Sequence, residues 1–367
     1  MNPLLEPLSF RCGKVMKNRF MLAPLTNCQS HEDGRLSEAE LHWLTLRAQG
    51  GFGIVSTCAA HVQAVGKGFP GQLGIFGDEH LEGLQRLAHA LTAAGSLPLV
   101  QLHHAGNRAP KELIGTDPVC PSEDAKTGAR ALSAAEIERL IEDFSAAAKR
   151  AQTAGFAGVE LHAAHGYVLC QFLSAQLNRR NDQYGGSLEN RCRILFSILD
   201  AVRARCGADF IVGVRLSPER FGVQLLEIRQ LAQQLIDTSK LDFLDLSLWD
   251  CWKEPQEPEL KGRTLMSWFM DLERKGVRLG VAGKIHDPAE AEQVLALGAD
   301  FAILGRVAIL HHDYPSLLAA NPAFRPKRPP VTRAYLANEG LSEHFVRYLG
   351  NWPGFVANED EGAAPRR

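Results

Sequence analysis

Short, nearly continuous apolar runs alternate eight times with amphipathic segments, which predicts an α/β fold: a (βα)8 TIM barrel with loop elaborations and a short C-terminal extension. Two observations carry this expectation. The runs are apolar along their length, as strands of a parallel sheet buried on both faces must be. No glycine fingerprint follows the first run, where Pro24-Leu25-Thr26-Asn27 stands instead, so a doubly wound dinucleotide-binding sheet is disfavoured.

In chain order the candidate strands are 20–23, 53–56, 99–102, 158–161, 210–215, 243–246, 279–282 and 301–304. Between the second and third, residues 79–94 carry Leu81, Leu84, Leu87, Ala88 and Leu91 at helical spacing. Segment 105–132 has little regular pattern and is rich in Pro, Gly and charge, so it reads as an elaborated loop above the barrel. Ser133 opens the clearest helix, a capping box with Glu136, followed by Ile137, Leu140, Ile141, Phe144 and Ala148 on one face. Asp287-Pro288 starts another helix, which ends near Gly298. Residues 322–333 hold Pro322, Pro326, Pro329 and Pro330, a stiff exit segment. Beyond it, Leu341, Phe345, Tyr348 and Leu349 predict a short amphipathic helix, and the polar tail from Asn358 reads as disordered. The division expected is a barrel over 1–330 and an extension over 331–367.

Composition excludes several classes. With 40 Lys+Arg against 42 Asp+Glu there is no electrostatic footprint for nucleic acid or an anionic membrane. No apolar run is long enough to cross a bilayer, and the N-terminal residues lack the pattern of a secretory signal. The eight cysteines are scattered, with 192 and 206 the closest pair, so no zinc or iron–sulfur spacing exists. Such thiols read as reduced, cytoplasmic residues. The sequence leaves homo-oligomers open.

Active sites of such barrels form at the carboxyl ends of the strands. The polar residues there are Thr26, Gln101, His103, His104, His162, His165, Arg215, Ser247 and Asp250, with Gly283-Lys284 and Gly305-Arg306 closing the last two strands. The two Gly-cation pairs suit a phosphate, though glycines that only close turns beside solvated cations would look the same. Arg215 leaves an apolar strand and needs an acceptor, either a carboxylate or a ligand. Gln101 can satisfy barrel backbone groups or a ligand. His162, His165 and Tyr167 can converge as a pair of neutral imidazole donors with a phenolic acid, as metal ligands together with His103, or as histidines that merely bond backbone.

The stretches from Asn18 to Thr26, Gln101-Leu102 with Ala105-Gly106, His162-Ala163-Ala164-His165-Gly166-Tyr167 and Leu304-Gly305-Arg306 resemble the old yellow enzyme family of flavin-dependent oxidoreductases. The most specific element is Asn178-Arg179-Arg180-Asn181-Asp182-Gln183-Tyr184-Gly185-Gly186-Ser187-Leu188-Glu189-Asn190-Arg191. The resemblance implies a barrel holding FMN, reduced by NADPH or NADH, which passes hydride from flavin N5 to the β-carbon of an activated alkene. It implies Thr26 at flavin O4, in the segment Pro24-Leu25-Thr26, with Ala59 on the same edge. Gln101 would lie at the pyrimidine and Arg215 near N1 and O2. Gly283, Lys284, Gly305 and Arg306 would stand at the phosphate, His162 and His165 on the substrate oxygen, and Tyr167 as the proton donor. The 182–191 stretch would be a loop tied down by its own hydrogen bonds.

Three departures stand out. Thr26 occupies a place where many bacterial members carry cysteine, so no thiol-based redox control carries over. Cys28 replaces a frequent aromatic of the substrate pocket. The loop Trp249-Asp250-Cys251-Trp252 matches no family pattern; Trp249 and Trp252 would line the pocket or pack against 105–132. The competing expectations are a flavin dehydrogenase or demethylase of the same fold, a metal-dependent barrel hydrolase built on His103, His162 and His165, and a flavin carrier without catalysis. Scattered cysteines argue against the first, and Tyr167 against the last.

Overall fold

The computed structural model describes residues 2–357, so the tail from Asn358 lies outside the described residues. Eight parallel strands close into a barrel in sequential order. They are β1 (Phe20–Leu22), β2 (Ile54–His61), β3 (Leu97–His103), β4 (Gly158–Ala163), β5 (Ile211–Leu216), β6 (Phe243–Ser247), β7 (Arg278–Ala282) and β8 (Phe301–Leu304). Each overlaps one predicted run. The principal helices packed outside them are α1 (Glu38–Gln49), α2 (Leu81–Ala93), α3 (Ala134–Thr153), α4 (Leu188–Cys206), α5 (Leu225–Asp237), α6 (Ser267–Met270), α7 (Pro288–Ala296) and α8 (Arg306–Leu310). The capping box forms as the sequence predicts: Ser133 N–H donates to Glu136 Oε2 at 2.8 Å, and Glu136 N–H to Ser133 Oγ at 3.3 Å.

The barrel interior is layered. A short antiparallel hairpin, Leu8–Ser9 with Val15–Met16, closes the N-terminal end. Phe10 between its strands stands 6.1 Å from Phe243 and 6.4 Å from Phe301, ring to ring. Glycine makes room for these rings. A Cβ on Gly213 would fall 2.1 Å from Phe243, and one on Gly280 would fall 2.4 Å from Phe301. Above this apolar floor, period-2 alternation carries Gln101, Glu160, Arg215 and Asp245 into the interior, and the registers Gln101↔Glu160 and Arg215↔Asp245 place them side by side.

Segment 105–132 is more ordered than expected. It contains a helical turn, Lys111–Ile114, and a parallel ladder pairing Val119–Cys120 with Arg130–Ala131. The 178–191 motif clamps it: Arg180 Nη1 donates to Pro121 O at 2.8 Å and Leu132 O at 2.5 Å, while Arg179 N–H donates to Ser122 Oγ at 2.9 Å. The motif also ties itself down, with Asn178 Nδ2 donating to Tyr184 O at 2.7 Å and Tyr184 N–H to Asp182 Oδ1 at 3.0 Å.

The C-terminal segment folds back onto the barrel as helices Arg333–Asn338 and Glu343–Leu349. Phe345 meets Trp43 of α1 edge to face at 5.3 Å. Arg47 of α1, fully buried, donates to Glu339 O at 2.8 Å and to Ala308 O at 3.2 Å, tying this segment to α8. Burial pushes its pKa down to about 9, so these bonds to carbonyls are what make a buried cation tolerable.

Candidate active site

The strand ends converge on a cavity of about 640 Å³, within the usual range for a cofactor or substrate pocket. Leu25, Arg215, Gly283, Lys284, Gly305 and Arg306 line it, as do Trp249 and Trp252. Gln101 stands beside Ala59 across the β2–β3 register, past a bulge in β2. Its amide Nε2 donates to Glu160 Oε1 at 2.7 Å, so part of this side chain is committed to the barrel interior rather than to the cavity. Arg215 finds the opposite charge its burial demands in Asp245, an ion pair with Nε 3.0 Å from Oδ2, while its Nη2 donates to Ser247 Oγ at 3.4 Å.

Besides Arg215, three cations reach the cavity from different segments. Lys284 is paired with Asp250 at 2.8 Å, and Arg328 with Asp287. Arg306 has no hydrogen bond or ion pair among the described residues, which leaves its charge for an anion. Gly283 cannot carry a side chain, since a Cβ there would lie 2.9 Å from Cys251 N of the loop after β6.

Beside the cavity, adjoining its lining residue Ser247, His162, His165 and Tyr167 come together: the His162 ring centroid is 5.0 Å from that of His165 and 5.1 Å from that of Tyr167. The Ala164 N–H donates to His162 Nδ1 at 3.3 Å, which leaves the proton of a neutral ring on Nε2. That Nε2 faces His165 Nδ1 at 3.3 Å, and His165 Nε2 faces Ser247 Oγ at 2.7 Å. The two imidazoles thus form a relay ending on Ser247 rather than two free donors. A substrate oxygen engaging both must displace part of that chain. Burial first, then the neighbouring charges, pushes both pKa values well below the ordinary histidine range, so both rings are neutral. His165 adopts a left-handed φ of 59°, and its N–H donates to Ser217 Oγ at 3.0 Å.

His103 stands 4.3 Å from Tyr167, ring to ring, and burial keeps it neutral. Among the described residues no group of three His, Cys, Asp or Glu side chains is arranged to hold a metal ion. Cys28, at a left-handed φ of 54°, is half-buried, and burial pushes its thiol up to about 11. Trp249 is 59 % exposed and stacks under the Arg220 guanidinium at 4.7 Å, so its partner is the loop after β5 and not segment 105–132.

Four residues without a role in the sequence reading join the site. Arg108 places its guanidinium 4.5 Å over the Tyr167 ring and donates to His165 O at 2.6 Å. Trp352 and Arg328, from the C-terminal segment, line the cavity. Tyr348 turns its phenol toward Thr26 and Trp352, with Cys28 and Tyr167 nearby. Its helical spacing with Phe345 and Leu349 was legible, but spacing cannot say that the face reaches the barrel mouth.

Residues 3–322 match the sequence profile of the NADH:flavin oxidoreductase / NADH oxidase family. The chain is 38 % identical over 323 residues, 85 % of its length and 86 % of the relative's, to the probable NADH-dependent flavin oxidoreductase YqiG of Bacillus subtilis. It is 32 % identical to the putative 12-oxophytodienoate reductase 4 of Oryza sativa, covering 99 % of this chain and 95 % of that one. Among solved structures, the old yellow enzyme homologue from Zymomonas mobilis superposes with a TM-score of 0.79 at 28 % identity, over 93 % of this chain and 99 % of that one.

Proposed function

Because the chain belongs to the old yellow enzyme, or NADH:flavin oxidoreductase / NADH oxidase, family, we propose that it is an FMN-dependent ene-reductase using NADH or NADPH. Its substrate would be a small activated alkene of the α,β-unsaturated carbonyl type. The observation that carries this reading is the meeting of His162, His165 and Tyr167 next to Ser247, which lines the same cavity as Arg215 and Arg306.

The residues present fit the cofactor. Arg306 offers an unpaired guanidinium and Gly283 a backbone with no room for a side chain, the arrangement a terminal phosphate needs. Gly305 and Lys284 complete that corner, and Arg328 adds a third cation. Pro24, Leu25, Thr26, Ala59, Gln101 and Arg215 would border the ring system, with Arg215 the positive charge against its pyrimidine. When bound, FMN supplies hydride transfer from reduced nicotinamide to the β-carbon of the alkene.

The chain's own groups supply the rest. Neutral His162 and His165 donate hydrogen bonds to the carbonyl oxygen, drawing electron density from the carbon that accepts hydride. Tyr167 delivers the proton to the α-carbon. Cys28, Trp249 and Trp252 would shape the space for the alkene. In the deciding experiment the purified protein is denatured, its released flavin identified, and the holoprotein reduced anaerobically with each nicotinamide and reoxidised with a panel of activated alkenes. FMN released and alkenes consumed is the expected result. No flavin, or activity lost to a chelator and restored by zinc, overturns it.

A further inference from the structure

Four side chains from four consecutive strands fill one layer of the barrel interior: Gln101 from β3, Glu160 from β4, Arg215 from β5 and Asp245 from β6. Glu160 and Asp245 are both fully buried. Their carboxyl groups lie within hydrogen-bond reach of each other. The donors available are too few for two carboxylates. Glu160 Oε1 accepts from Gln101, but Glu160 Oε2 and both Asp245 oxygens have no N–H or O–H hydrogen-bond donor. Arg215 approaches Asp245 at 3.0 Å as an ion pair without hydrogen-bond alignment.

Charge counting gives the same answer. Two carboxylates and one guanidinium would leave a net negative charge in a dry layer, the arrangement that burial punishes most. One proton held between the acids supplies both the missing donor and neutrality. We propose that Glu160 and Asp245 share a single proton and act as one counter-charge to Arg215, positioning its guanidinium beneath the cofactor cavity. Neither acid touches the cavity itself, so both are positioning residues. The burial of each group, together with the other acid's charge on Glu160, raises both carboxyl pKa values, in agreement with a retained proton.

The proton rests on the burial, the strand register and the missing donors; its consequence for flavin potential rests on the FMN reading. Infrared difference spectra between wild type and each variant, folded at neutral pH, read the C=O stretch of this pair's protonated carboxyl apart from that of Glu40, which is also buried. Wild type is expected to show it. Glu160→Gln and Asp245→Asn are each expected to lose it, because the remaining acid then ionises as the sole partner of Arg215. The midpoint potential of bound flavin should stay close to wild type in both single variants. In Glu160→Gln/Asp245→Asn it should shift upward, since Arg215 then carries an uncompensated charge. Where the double variant does not fold, the two infrared losses decide the matter. Absence of the stretch in wild type, its survival in either single variant, or single variants that shift the potential as far as the double one would overturn the shared proton. A protein that binds no flavin but shows the stretch would sink only the FMN reading.

Discussion

Tyr167 is held between the His103 ring and the Arg108 guanidinium, so its phenol is fixed even before a ligand arrives. Tyr167→Phe is expected to leave reduction by nicotinamide nearly unchanged and to slow reoxidation by alkenes roughly 10²- to 10⁴-fold, the usual weight of a positioned acid. Stopped-flow measurement of the two half-reactions separates them, and equal losses in both would give Tyr167 a shaping role only. At His165, asparagine can still donate to a carbonyl oxygen whereas alanine cannot. His165→Ala should therefore cost on the order of 3 kcal/mol in the transition state, with His165→Asn between it and wild type in kcat/KM. Arg306→Ala should weaken FMN more than riboflavin, since only FMN carries the dianion; equal weakening, read by fluorescence titration, removes Arg306 from the phosphate corner. Gln101, Arg215, His162 and His165 stand out in the sequence because polar groups at the ends of apolar strands have few other uses, and Tyr167 because it follows the two imidazoles so closely. Arg108, Arg328 and Trp352 do not, because their segments have no periodic pattern that fixes where they fold. Glu160 and Asp245 carried a usable signal, two acids in the middle of strands otherwise apolar, which the sequence reading left without a role.

The strands were legible as elements because both faces of each are buried, which forces an unbroken apolar run. The second strand extends past its predicted end to His61, where small and polar residues break the run without leaving the sheet. Helix α1 has no clear apolar stripe because two ionisable residues, Glu40 and Arg47, lie on its buried face. Glu40 accepts from Asn27 at 2.9 Å and Arg47 binds carbonyls, so the helix packs through polar contacts that a hydrophobic pattern cannot register. The N-terminal hairpin is two residues per strand and too short to carry any period. Its role is tested through the rings it packs against. Gly213→Ala would drive a methyl into Phe243, and an overpacking cost of roughly 1–3 kcal/mol follows. Denaturant unfolding of wild type and variant measures it, and an unchanged midpoint would mean that the ring moves aside at no cost.

For the whole molecule, buried ionisable groups set the pH range of stability. Burial holds His61 down to about 4 and His104 to about 3, with His103, His162 and His165 also lowered. These rings bind fewer protons folded than unfolded below about pH 6.5, so the stability they permit is present above that value and lost as pH falls. Glu40 and the Glu160–Asp245 pair are raised by burial and bind more protons folded than unfolded, so their contribution is lost as pH rises through the raised values. The two sets oppose each other on the acid side, where the five imidazoles outnumber the two protons retained by Glu40 and the acid pair. Tm should therefore peak close to neutrality and fall in both directions, and a Tm still rising between pH 7 and 8 would contradict this balance.

The fold-back of the C-terminal segment has one further consequence, for the order in which the pocket comes into being. Tyr348 and Trp352 are synthesised after the last barrel strand, yet they stand at its mouth beside Thr26. A nascent chain that has closed its barrel therefore has the strand-end side chains of the pocket but an unfinished wall. The cavity acquires its full enclosure only when the segment carrying Arg328 and Trp352 has folded back, so its wall is completed by residues that follow the barrel in the chain.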